Sequence, residues 1–135
     1  MVVVVGYIPT PEGRAALDAA IDVARLRRTR LVVVNASRGD ALVDHRFSST
    51  DDWDAVNRQV AGAGVECELL QLLRSEDPAE QLLDVARHHA ADLVVLGLRR
   101  RTPVGKLLLG SSAQRILLEA DCPVLAVKAP LDGGS

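Results

Sequence analysis

The sequence predicts an α/β fold: a doubly wound, five-stranded parallel sheet with helices on both faces. Three observations carry that prediction. Short, continuous runs such as VVVV, LVVV and LVVL read as strands buried on both faces. They alternate along the chain with longer segments of helical period, the pattern of right-handed crossovers in a parallel sheet. The chain has 135 residues, 48% of them hydrophobic and 25% charged, which suffices for one core and not for two ordinary domains.

Each element has its own signal. MVVVVGY is the first strand. TPEGRAALDAAIDVARL is a helix with Thr10 as N-cap, Pro11 at the first helical position and Glu12 in the first turn. Ala16, Leu17, Ala20 and Ala24 share one face, and Arg25, Arg27 and Arg28 sit near the C-terminus, where the helix dipole favours cations. RLVVVNA is the second strand, and the polar residues 37–50 are expected to form a mobile surface loop. DDWDAVNRQVAGAG is a helix stopped by Gly62 and Gly64, and VECELLQLL is the third strand. Asp77, Pro78 and Glu80 make a capping-box start for PAEQLLDVARHHA. ADLVVLG, SSAQRILLEA and CPVLAVKA complete the order as strand, helix and strand. Residues 1–130 are thus expected to form one domain, with 131–135 a flexible tail.

Composition excludes several functions. One Trp, one Tyr and one Phe leave no aromatic platform for stacking bases, and a net charge of -2 gives no global basic field, so no nucleic-acid partner is expected. The apolar run Val2 to Val5 is too short to span a membrane and lacks a basic flank, which points to the cytoplasm and away from membranes. Cys67 and Cys122 show no metal-ligand spacing and are expected as buried thiols, with a disulfide as the alternative. Adjacent His88 and His89 point apart and read as surface imidazoles. His45, among Asp40, Asp44, Asp51 and Asp52, reads as part of a solvated acidic loop, and Trp53 as a helix anchor. No metal is expected.

In a doubly wound sheet, ligands collect beyond the carboxyl ends of the strands, where strand order reverses. The expected lining is Gly6 to Thr10, Asn35 to Ser37, and Gly97 onward. The stretch LGLRRRTPVGKLLLGSSAQRI, Leu96 to Ile116, carries the most chemistry. Ser111 reads as an N-cap, with Gln114 completing an S-x-x-Q box. Gly110 leaves the helix start open to an anion, and Arg99, Arg100, Arg101 and Lys106 add cationic donors. From the residues alone two readings stand: a phosphate cradle, or a solvated basic loop leading into a helix. The better-known phosphate motifs are absent. Arg100 and Leu107 occupy the first-glycine and hydroxyl positions of a P-loop around Gly105-Lys106, and no G-x-G-x-x-G follows a strand. Ser111 and Ser112 have no partner base at a suggestive position, so no catalytic residue is assigned.

The segment from Ala91 to Lys128, together with VVVVGYIPTPEGRAALDAA and LVVVNA, resembles the universal stress protein family over essentially the whole chain. The resemblance implies the Rossmann-like fold of the adenine nucleotide alpha hydrolase type and a homodimer joined through the last strand, Pro123 to Ala129. ATP-binding members carry G-x2-G-x9-G-[ST]. Here Gly97 and Gly110-Ser111 match, and Arg100 stands at the middle glycine. Ile8 stands where those members place a nucleoside-contacting aspartate. The implied function is a non-catalytic stress-response domain that binds ATP, AMP or another phosphorylated small molecule, with at most weak incidental ATP hydrolysis. Its site would comprise Gly97, Arg99, Arg100, Arg101, Gly110, Ser111 and Ser112, with Ile8 and Ala36 meeting the base. The alternative is a dimeric scaffold that no longer binds nucleotide, because Arg100 and Ile8 replace nucleotide-contacting positions.

Overall fold

The computed structural model describes residues 1–8, 10–35, 50–71, 77–98 and 110–129, without the side chains of 50–53. Nine elements follow in order: β1 (Val2–Tyr7), α1 (Pro11–Arg27), β2 (Arg30–Asn35), α2 (Thr50–Gly62), β3 (Cys67–Gln71), α3 (Pro78–His88), β4 (Leu93–Leu98), α4 (Ser111–Glu119) and β5 (Val124–Lys128). The strands form one parallel sheet in the order β3-β2-β1-β4-β5. This is the expected doubly wound fold, and the order reverses between β1 and β4.

Strand periodicity divides the core into two layers. Val3, Val5 and Tyr7 of β1, Leu31 and Val33 of β2, and Leu93 and Val95 of β4 pack with Ala16, Leu17 and Ala20 of α1 and Val56 and Val60 of α2. The alternate residues Val2, Val4, Val32, Val34, Val94 and Leu96 pack with Leu82 and Leu83 of α3 and Ile116 of α4. Both faces of the three central strands are therefore dry, which is why they read as unbroken aliphatic runs.

Local chemistry fixes the ends of the elements. Thr10 caps α1, its Oγ1 accepting the Gly13 N–H at 3.1 Å, with Pro11 in the first turn. Arg28 closes the helix in the left-handed region, φ 56°, and returns its N–H to the Ala24 and Arg25 carbonyls. Gly64 takes φ 74° just beyond α2. Asp77 caps α3 by accepting the Ala79 N–H at 3.0 Å. Glu80 does not complete the expected capping box with it alone, for its carboxylate meets Arg115 of α4. The start of β1 is pinned beside β4, since Val2 N–H donates to the Asp92 carboxylate and Asp92 N–H to the Val2 carbonyl, both at 2.8 Å.

Cys67 and Cys122 are free thiols, and each is half-buried where full burial was expected. Burial, reinforced by Glu68, pushes the Cys67 thiol up to about 11; burial with Asp121 and Asp92 raises Cys122. Because the thiolate is the nucleophile, alkylation of native Cys67 by iodoacetamide should be slow at pH 7–8 and should accelerate about tenfold per pH step toward 11. The unfolded thiol ionises near 9, so between about 9 and 11 the native state holds the extra proton. That contribution to stability is complete below pH 9 and is lost as the pH rises through 11. Mass-resolved alkylation rates and urea midpoints across this range check both statements; a fast reaction at pH 7 would contradict them.

Candidate ligand cleft at the switch point

Two strand ends frame the reversal of strand order: Gly6 to Ile8 at the end of β1, and Gly97 and Leu98 at the end of β4. The helices that follow these strands lie on opposite faces, α1 on one and α4 on the other. Parallel crossovers bring the N-termini of both helices to this carboxyl edge of the sheet.

The first turn of α1 is wedged tightly into this edge. A Cβ at Gly13 would collide with the Ile8 carbonyl oxygen and lie 2.8 and 2.9 Å from the Ile8 C and N atoms. A Cβ at Gly97 would collide with the Glu12 carbonyl. Both glycines are therefore required by backbone packing, and Gly97 acts first as the seat of α1. Ile8 is half-buried, and its carbonyl accepts the Thr10 N–H at 2.8 Å.

The start of α4 is open by contrast. Gly110, not Ser111, holds the N-cap position, with extended φ -66° and ψ 161°, and has no side chain with which to cap the helix. The first helical bond runs from the Gln114 N–H to the Gly110 carbonyl at 2.9 Å. The N–H groups of Ser111, Ser112 and Ala113 therefore have no acceptor within the helix. Among the described residues, a Cβ at Gly110 would meet nothing within 4 Å; Ser111 is exposed and Ser112 half-buried. The expected S-x-x-Q box is thus displaced: Ser111 is the first helical residue and leaves the cap to glycine. Such an end carries a partial positive charge and suits an anion. Ala36, Arg99, Arg100, Arg101 and Lys106 lie outside the described residues, as do His45 and the Trp53 side chain.

Tyr7 and Asn35 fall within the expected lining of this edge, whereas Gln71, Gly13 and Arg115 escaped sequence reasoning. Tyr7, Asn35 and Gln71 occupy one row across β1, β2 and β3, being successive register partners. Asn35 is fully buried and donates from Nδ2 to the Gln71 Oε1 at 3.0 Å. Their signal is a polar residue at the carboxyl end of each of three strands. Gly13 is legible as a glycine inside an alanine-rich helix face. Arg115 gave no local signal, since two of its partners, Asp77 and Glu80, lie on or beside another helix.

Other candidates stand apart from the cleft. His88 is exposed, while His89 is half-buried, with Nδ1 donating to the Val85 carbonyl at 3.0 Å and Nε2 lying 3.6 Å from Glu68. A cavity of about 240 Å³ opens between the ends of α3 and α4 and the start of β5, beside Ala86, Ala120 and Cys122, at the opposite edge of the sheet. Among the described residues, no group of three or more His, Cys, Asp or Glu could hold a metal, and no helix is long and apolar enough to cross a membrane.

A model of the Universal stress protein family matches residues 1–128. The chain belongs to this family. A universal stress protein of Mycolicibacterium smegmatis is 48% identical over 93% of this chain and 96% of its own length. Among solved structures, a universal stress protein from Archaeoglobus fulgidus superposes with a TM-score of 0.76 at 28% identity, covering 94% of this chain and 97% of that one. A universal stress protein from the same organism, solved in complex with dAMP, gives 0.68 at 25% identity over 94% and 96% of the two chains. The family assignment agrees with the resemblance read from the sequence, and the strand order with the doubly wound fold.

Proposed function

We propose that this universal stress protein binds an adenine nucleotide, AMP or ATP, at the carboxyl edge of its sheet, and acts as a cytoplasmic binding domain without a catalytic apparatus. The phosphates take the free N–H groups and hydroxyls of Ser111 and Ser112 beside Gly110. Gly97 and Arg99 to Arg101 would complete the site around them, and the neighbourhoods of Ile8 and Ala36 would meet the base. The observation that carries this reading is the start of α4, where, among the described residues, glycine leaves space and the first N–H groups have no acceptor within the helix. The dAMP complex of the Archaeoglobus fulgidus relative supports the choice of an adenine nucleotide.

Calorimetric titration with AMP, ATP and inorganic phosphate tests it. Saturable heat with AMP or ATP, at micromolar to millimolar concentration, is expected. No heat and no thermal shift at millimolar ligand would reject it.

A second reading has its own observation. β5 is an edge strand whose Leu125 is 39% exposed, and nearby α4 exposes Leu118 at 76%. A copy pairing through Pro123 to Ala129 would cover such an edge. A chain that sediments as a dimer yet gives no heat with any nucleotide would favour the scaffold role, with Arg100 and Ile8 marking the lost site.

A further inference from the structure

We propose that Arg115 is the positioning residue of this anion site: it fixes the open start of α4 against α3 without touching the ligand. The inference rests on reading the α4 start as a phosphate site. α4 has nine residues, of which Ile116 is buried and Ala113 packs partly against the same core, so apolar packing holds the helix only in part. Arg115 supplies the missing hold. Its Nη1 donates to Asp77 Oδ2 at 2.6 Å, its Nη2 to Glu80 Oε2, and its Nε to Glu119 Oε2 at 3.1 Å.

Asp77 is the key partner because its two oxygens do different work. Oδ1 caps the first turn of α3 through the Ala79 N–H, and Oδ2 takes the guanidinium of α4. One carboxylate thus joins the start of α3 to the middle of α4. Arg115 stands four residues from Ser111, about 6 Å along the helix axis. All three guanidinium nitrogens are committed to carboxylates, so Arg115 acts through the helix it steers. A planar fork is suited to this role, since it fixes direction as well as charge.

The sign of one substitution separates positioning from simple charge. Asp77→Asn keeps a good N-cap for α3 but weakens the bond to Arg115. It also removes a negative charge near the phosphate, which by electrostatics alone would tighten binding. Positioning requires the opposite: AMP and inorganic phosphate should bind about threefold to tenfold more weakly to Asp77→Asn and to Arg115→Gln, with Arg115→Lys in between. In ligand-free protein, the amide signals of Ser111, Ser112 and Ala113 should move in both variants while those of α2 stay in place. Should wild type bind inorganic phosphate but no nucleotide, and the variants weaken that binding, the function proposed above fails and the positioning role of Arg115 stands. Tighter or unchanged binding by Asp77→Asn, or α4 amide signals that do not move, would overturn the role. If Arg115→Gln does not fold, Asp77→Asn alone decides.

Discussion

Replacing Gly13 with alanine should destabilise the protein by about 1–3 kcal/mol, although alanine is the better helix former. Helix propensity alone favours the substitution by about 1 kcal/mol. The new methyl group, however, would enter the Ile8 carbonyl and approach the rest of that peptide to within 3 Å. Ile8 is not free to retreat. Its carbonyl accepts the Thr10 N–H, and the Thr10 hydroxyl accepts the Gly13 N–H, closing a tight loop around the start of α1. Gly97→Ala should act in the same direction, because the Glu12 carbonyl occupies the space of its Cβ. Gly62→Ala is the control: nothing lies within 4 Å, and a neutral to slightly stabilising effect is expected. Urea unfolding of the three variants checks this, and a Gly13→Ala protein as stable as wild type would contradict the packing described.

The second large effect has opposite signs for stability and binding. Gly110→Asp should raise stability by about 0.5 kcal/mol while weakening nucleotide binding roughly tenfold or more. The extended backbone at Gly110 suits any residue, and a Cβ there would meet none of the described residues within 4 Å. An aspartate there would accept the N–H groups that now lack a side-chain acceptor and would complement the helix dipole. Those are the donors a phosphate needs, and the new carboxylate would also repel it. Thermal unfolding and calorimetry on one preparation read both effects. A variant that gains stability yet binds AMP as wild type does would place the phosphate elsewhere.

The fold was largely legible because its signals are local. Aliphatic runs marked the strands, Thr10-Pro11 and Asp77-Pro78 marked two helix starts, and Gly62 and Gly64 marked a helix end. The cleft was legible in outline, since parallel topology places Ile8, Gly97 and Gly110 at one edge of the sheet. Its details depended on contacts distant in sequence. The α4 cap was misread by one position because glycine and serine are both good N-caps, and only the backbone angles separate them. The Arg115 ion pairs reach 38 and 35 residues back along the chain and leave no periodic trace. Gly97 stood out as a ligand-binding glycine, but its nearest neighbour is the backbone of α1, which no motif spacing reveals. Position beside a strand predicts burial of Cys67 and Cys122 but does not distinguish full from partial burial.

The central claim is that an anion sits on the bare amides at the start of α4. Amide chemical shifts recorded during titration with AMP test it most directly. The Ser111, Ser112 and Ala113 signals should move first and saturate together, and inorganic phosphate should move the same three. If those signals stay fixed while AMP shifts others, or if nothing moves at millimolar ligand, the α4 start is only a helix end.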